Sequence, residues 1–199
     1  GVAVSDGLEV VRTGRDGAFE ILTTADRDFV RLSVPAGYRI PRNPNGTARF
    51  YAPVVPDSRG EMAASFELER LEESDDGHAL FLLADIQTED AQEMAWFHEQ
   101  TVPDVQATLR ALGSPEAFGV AAGDIMFDNL ALYPEFERGV SRMAIPFFQV
   151  VGNHDLDQRS LTDDDSTATF TRHFGPRYYS FERGAVHYVV LDDVFWHGA

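Results

Sequence analysis

The chain contains no cysteine and no lysine, so all sixteen of its basic residues are arginine. Without cysteine there is no disulfide framework and no zinc site built on thiolates. No apolar run approaches the roughly 20 residues of a membrane-spanning helix. Acidic residues outnumber basic ones 33 to 16, a formal charge of −17. That leaves no basic stripe to neutralise phosphates, which excludes nucleic-acid binding of the non-specific electrostatic kind. The missing lysine is read as coding bias in preference to salt adaptation, and neither reading names a function. At 44% hydrophobic and 25% charged, the composition is that of an ordinary globular protein. Its 199 residues allow one large domain or two small ones, each with a core.

Residues 1–72 read as short strands between turns. Ser5-Asp6-Gly7 and Arg15-Asp16-Gly17 are hairpin signals, because glycine adopts positive φ without steric cost. Phe29–Val34 alternates Phe29, Arg31 and Ser33 against Val30, Leu32 and Val34, one face for water and one for a core. With Val2–Val4, Leu8–Thr13, Ala18–Thr23, Ala48–Val55 and Ala63–Leu71, this predicts six or seven strands in a small β-sandwich. Residues 73–77, within the acidic run Glu72 to Gly77, are expected to be a linker.

From 78 to 199 the texture changes. His78–Ala84 is a near-continuous apolar run, expected to be a strand buried on both faces. A long helical stretch follows between Glu89 and Leu112, with Pro103 expected to break or kink it. Phe118–Ala122 and Ile145–Val151 are further strands, separated by a partly helical Asn129–Arg142. A short helix over Thr167–Phe174 and a strand pair at Tyr178–Phe181 and Val186–Leu191 complete the pattern. Strand, helix, strand, helix, strand predicts an α/β sheet behind the sandwich, an α+β two-domain chain.

Three buried strands in succession end in polar groups. They are Ala84-Asp85-Ile86-Gln87, Ala122-Gly123-Asp124 and Val151-Gly152-Asn153-His154-Asp155. Open α/β sheets bind ligands beyond the carboxyl ends of their strands. If the strands are parallel neighbours, Asp85, Asp124 and Asn153 share one rim. Carboxylates gathered without a basic partner call for a counter-cation. Glycine before Asp124 and before Asn153 permits sharp turns and close approach of the backbone.

In this order the three motifs resemble the calcineurin-like metallophosphoesterases, with Gly152-Asn153-His154-Asp155 the most specific piece. The sandwich at 1–72 resembles the amino-terminal domain fused to a bacterial branch of that family. The resemblance implies the first part of an αββα phosphoesterase domain at 78–199 and a site for two divalent metal ions (Mn, Fe, Zn or Mg). Asp85 and Gln87 would ligate the first, Asp124 would bridge both, and Asn153 would ligate the second. His154 would act on the phosphate as proton donor or charge stabiliser, with Asp155 orienting the loop. The activity implied is hydrolysis of phosphate mono- or diesters by a hydroxide activated between two metals. The substrate would be a phosphorylated small molecule or a phosphoprotein.

Two features depart from the family pattern. Gln87 stands where Asp-x-His is commoner, a harder and weaker ligand than imidazole. No Gly-His-x-His follows His154, since Trp196-His197-Gly198-Ala199 does not match it. The expectation is therefore a piece of a longer enzyme with an incomplete site and an exposed sheet edge open to self-association. The alternative is a non-catalytic binding or scaffold module. The fused sandwich and absent cysteine point to a periplasmic or secreted protein, with the cytoplasm as the other option. Asn45-Gly46-Thr47 is read as a turn in preference to a glycosylation sequon, His173 as a packing residue, and Asp192 as a minor ligand candidate.

Overall fold

The two textures of the sequence become two sheets of different kind. The computed structural model describes residues 1–24, 26–113 and 116–197. Strands β1 (Ala3–Ser5), β2 (Val10–Arg12), β3 (Phe29–Leu32) and β4 (Tyr51–Pro53) form an antiparallel sheet in the order β2-β1-β3-β4. The alternation of β3 does what it predicts on one side, burying Val30 and Leu32. The expected strand count of six or seven is corrected to four among the described residues. Ala18–Thr23 and Ala63–Leu71 join no ladder apart from a single bridge between Tyr38 and Arg70. Their apolar residues Phe19, Ile21, Phe66 and Leu68 instead pack side-on against the core, so the alternation there serves packing and not pairing.

Strands β5 (Ala79–Leu83), β6 (Ala117–Ala122) and β7 (Phe147–Val150) form a parallel sheet in chain order, with Leu83 opposite Ala121 and Ala122 opposite Val150. One face carries Ala121 and Phe147 against α1 (Ala91–Trp96), α2 (Val102–Ala111) and α3 (Tyr133–Met143). Asp90 caps α1, its carboxylate accepting from the amides of Gln92 and Glu93 at 2.8 and 3.0 Å. Pro103 does not break the helical stretch. A π-helical turn over Phe97–Thr101 precedes it and carries the chain into α2, with the proline in the first turn, where its missing N–H costs least. In α3, Tyr133, Phe136, Val140 and Met143 fall on one buried stripe.

The opposite face carries Phe118 and Phe148. Over it lies the hairpin of β8 (Tyr179–Arg183) and β9 (Val186–Val190), with Phe181 stacked on Phe148 at 4.0 Å. The hairpin covers β6 and β7 but not β5. Leu80 and Leu82 are therefore 42% and 60% exposed, which corrects the expectation of a strand buried on both faces. Val4, Val30 and Leu32 from the antiparallel sheet, with the flanking Val34 and Phe50, enter the same core as Phe118, Phe148 and Phe181.

Further ties cross from the first 72 residues to the rest. The loop Gly46–Ala48 runs along the edge of β7, with the Phe147 amide donating to Gly46 O and the Ala48 amide to Phe147 O. A side chain at Gly46 would strike the Ser141 backbone at 2.6 Å, so this approach requires glycine. Asn45 Oδ1 accepts from the Thr47 amide, the turn expected there. Within the acidic linker Asp75 is buried, and it pairs with the buried Arg183 at 3.2 Å. Arg183 also reaches Glu116 at 3.5 Å and donates to the Tyr38 carbonyl. Asp75 accepts from the Gly37 amide as well. Burial raises the Asp75 carboxyl, but the amides of Gly37 and Gly184 and the Arg183 guanidinium outweigh it and hold the group below its ordinary range.

Candidate active site at the strand ends

The parallel register sets Asp85, Asp124 and Asn153 on one rim. Each follows the last residue of its strand by two or three positions. The backbone is strained there. Asp85, Gln87, Asp124 and Asp128 have φ of +49°, +46°, +45° and +60°, a region that side chains other than glycine rarely adopt. Among the described residues, Ala144, which caps α3, is the one other non-glycine with positive φ. Such clustering marks places where surrounding structure holds the chain against its preference.

The loops after β5 and β6 run side by side. The Gln87 amide donates to Asp124 O at 2.9 Å, and the Phe127 amide to Thr88 O at 3.0 Å. The Gln87 side-chain Nε2 donates to Asp124 Oδ2 at 3.1 Å, while the His154 backbone N–H donates to Asp124 Oδ1 at 3.1 Å. Asp124 thus joins all three loops. Gly152 makes this possible, because a Cβ on it would lie 2.1 Å from both the Asp124 amide nitrogen and its Oδ1.

His154 Nδ1 lies 3.0 Å from Asp128 Oδ1. A carboxylate only accepts, so Nδ1 carries the proton and Nε2 is left free as an acceptor. The imidazole stacks on Phe127 with centroids 4.2 Å apart. Asp155 is fully buried. Burial pushes its carboxyl up to about 6, against the opposing pull of four donors, the amides of Ile125, Met126 and Gly152 and the Tyr133 hydroxyl.

Of the residues singled out in the sequence, Gln87, Asp124, His154 and Asp155 are thus linked by hydrogen bonds, directly or through neighbouring loop residues. Asp85 and Asn153 stand exposed on the same rim. Asp192 is turned to Arg177 at 3.1 Å, and His173 pairs with Glu137 at 3.1 Å beside Phe174. Asp128, Phe127 and Tyr133 were not anticipated as site residues.

The donors on the rim are all oxygens: two carboxylates and the carboxamides of Gln87 and Asn153. With Gln87 Nε2 turned to Asp124, its amide oxygen remains available. By chemistry this set suits a hard divalent cation such as magnesium or manganese better than zinc. Among the described residues no three histidine, aspartate or glutamate side chains group so as to hold a metal ion. The rim residues alone thus do not form the binuclear centre that the resemblance implies.

Residues 1–71 match the family described as the N-terminal of calcineurin-like phosphoesterase. The matched residues hold the antiparallel sheet and lie ahead of the strand-end motifs. No curated protein matches the chain. Among solved structures it is similar to a purple acid phosphatase isolated from yellow lupin (Lupinus luteus) seeds, at 13% identity and a TM-score of 0.41. That similarity covers 55% of this chain, and the chain spans 23% of the length of the phosphatase.

Proposed function

We propose that the chain supplies part of a metal-dependent phosphoesterase centre, acting on phosphate mono- or diesters. The observation that carries this reading is the joining of three strand-end loops at Asp124, on a rim whose donors are all oxygens. The phosphoesterase amino-terminal domain at 1–71 supports it. Asp85, Gln87, Asp124 and Asn153 would contribute to holding two divalent cations, which when bound supply Lewis-acid charge to a phosphoryl oxygen. Asp128 fixes the tautomer and orientation of His154, and Phe127 holds the ring plane. His154 Nε2 is thereby aimed away from its partner and can exchange a proton with the leaving or attacking oxygen. Asp155 keeps the loops of Asp124 and His154 at one spacing. The −17 charge is no obstacle, because a bound cation would provide the positive potential that lysines provide elsewhere.

The test is hydrolysis of an aryl phosphate in manganese. The full-length protein that carries this chain and its Asp124→Asn variant are compared at equal thermal stability. Turnover that the substitution abolishes supports the reading. Turnover that survives it overturns the assignment of Asp124.

A further inference from the structure

Asp155 cross-links two loops. Its Oδ2 accepts from the amides of Ile125 and Gly152, both at 3.0 Å. Its Oδ1 accepts from the Met126 amide at 3.1 Å and the Tyr133 hydroxyl at 3.0 Å. Ile125 directly follows Asp124, and Gly152 directly precedes Asn153, so the carboxylate sets the spacing between the loops that carry the rim. Three of its four donors belong to those loops. Taken alone, this brace could shift as a unit without losing a bond.

The fourth donor comes from outside. Tyr133 opens α3 and is wholly buried. Its ring is clamped edge-on by Phe174, with centroids 4.7 Å apart, and lies 5.3 Å from the His173 ring. Removing the hydroxyl would leave a buried carboxylate oxygen short of a partner and cut the brace from the helix. Burial beside Asp155 raises the phenol, so the hydroxyl keeps its proton and remains a donor.

We infer that Tyr133 is a positioning residue, whose hydroxyl anchors the Asp155 brace to α3 and so fixes Asp124 and His154 relative to the sheet. What that placement serves rests on the phosphoesterase reading above. The placement itself rests on hydrogen-bond geometry alone.

The experiment compares Tyr133→Phe with Tyr188→Phe. The second variant removes a different hydroxyl, one bonded to His78 Nε2 at 2.7 Å beside the start of β5, at the opposite end of the sheet from the rim. Amide hydrogen exchange and manganese titration are measured on the wild-type chain and both variants. In Tyr133→Phe the amides of Ile125, Met126 and Gly152 are expected to exchange about tenfold faster, with no such change in Tyr188→Phe. Manganese affinity is expected to fall about tenfold in Tyr133→Phe and to hold in Tyr188→Phe, as for loss of an outer support of a metal site. Unchanged exchange at the three amides, or equal acceleration in both variants, would overturn the inference. So would manganese affinity that is untouched by Tyr133→Phe. If the wild-type chain takes up no manganese, the phosphoesterase reading is what fails, and the exchange data alone decide the role of Tyr133.

Discussion

The Gln87 side-chain amide donates to Asp124 Oδ2 at 3.1 Å, so the residue that departs from the commoner phosphoesterase motif is bonded to the acid it would share a cation with. Glutamine there differs from an imidazole in the ligand atom it keeps, a hard amide oxygen in place of a ring nitrogen. It offers an N–H to one acid and leaves a carbonyl oxygen facing the rim. Gln87→Ala is expected to weaken manganese binding about tenfold, as loss of a ligand support does elsewhere. Titration calorimetry on the two proteins measures this. Equal affinities would show that Gln87 contributes nothing to the site.

The Asp128–His154 contact makes a prediction independent of any activity. Nitrogen-15 chemical shifts of His154 should show the proton on Nδ1 near neutral pH in the neutral ring. Asp128→Ala removes the acceptor and should shift the ring toward a mixture of tautomers. A wild-type ring already protonated on Nε2 would contradict the geometry.

Arg183 and Asp75 are both almost fully buried, and Arg183 Nε has no hydrogen-bond partner among the described residues. Arg183→Met leaves Asp75 buried without its cation and is expected to cost about 3–5 kcal/mol of stability. Urea denaturation at neutral pH reads this loss.

The same pair sets an acid limb. The folded Asp75 carboxyl lies below its unfolded value, so between the two the unfolded chain binds more protons. The stability contributed is complete above the ordinary aspartate range, near 4, and is lost as pH falls through the folded value. Asp75→Asn should flatten that part of the stability curve. An unchanged acid limb would show that Asp75 is not held ionised by its surroundings.

Gly152 lies where the loops of Asp124 and Asn153 meet. Gly152→Ala places a methyl 2.1 Å from Asp124 and must push the loops apart. A cost of about 3 kcal/mol is expected from overpacking, together with loss of the bond from the His154 amide to Asp124. Chemical denaturation and the amide shift of His154 check the two effects separately.

Much of this site was legible in the residues because the rule behind it is local. An apolar strand that stops at glycine and then aspartate places that acid at a sheet rim, and Asp124 and Asn153 followed from it directly. The elements β5 to β7 and the helices between them also lie where their periodicity puts them. Asp128 was not legible, because nothing in Phe127-Asp128-Asn129 announces a histidine partner on another loop. Tyr133 was not legible either, since a hydroxyl's partner cannot be inferred from helical spacing. Asp75 read as linker because its neighbours are acidic and its cation, Arg183, is remote in the chain. The exposure of Leu80 and Leu82 depends on how far the β8–β9 hairpin reaches across the sheet, which no window of sequence contains.

The rim formed by Asp85, Gln87, Asp124 and Asn153 is proposed to bind a divalent cation. Titration of manganese into the wild-type chain and into Asp124→Ala, followed by calorimetry, tests it most directly. Saturable binding by the wild type is expected, abolished by the substitution in a chain that remains folded. Absence of binding by the wild type, or binding that Asp124→Ala leaves unchanged, would contradict it.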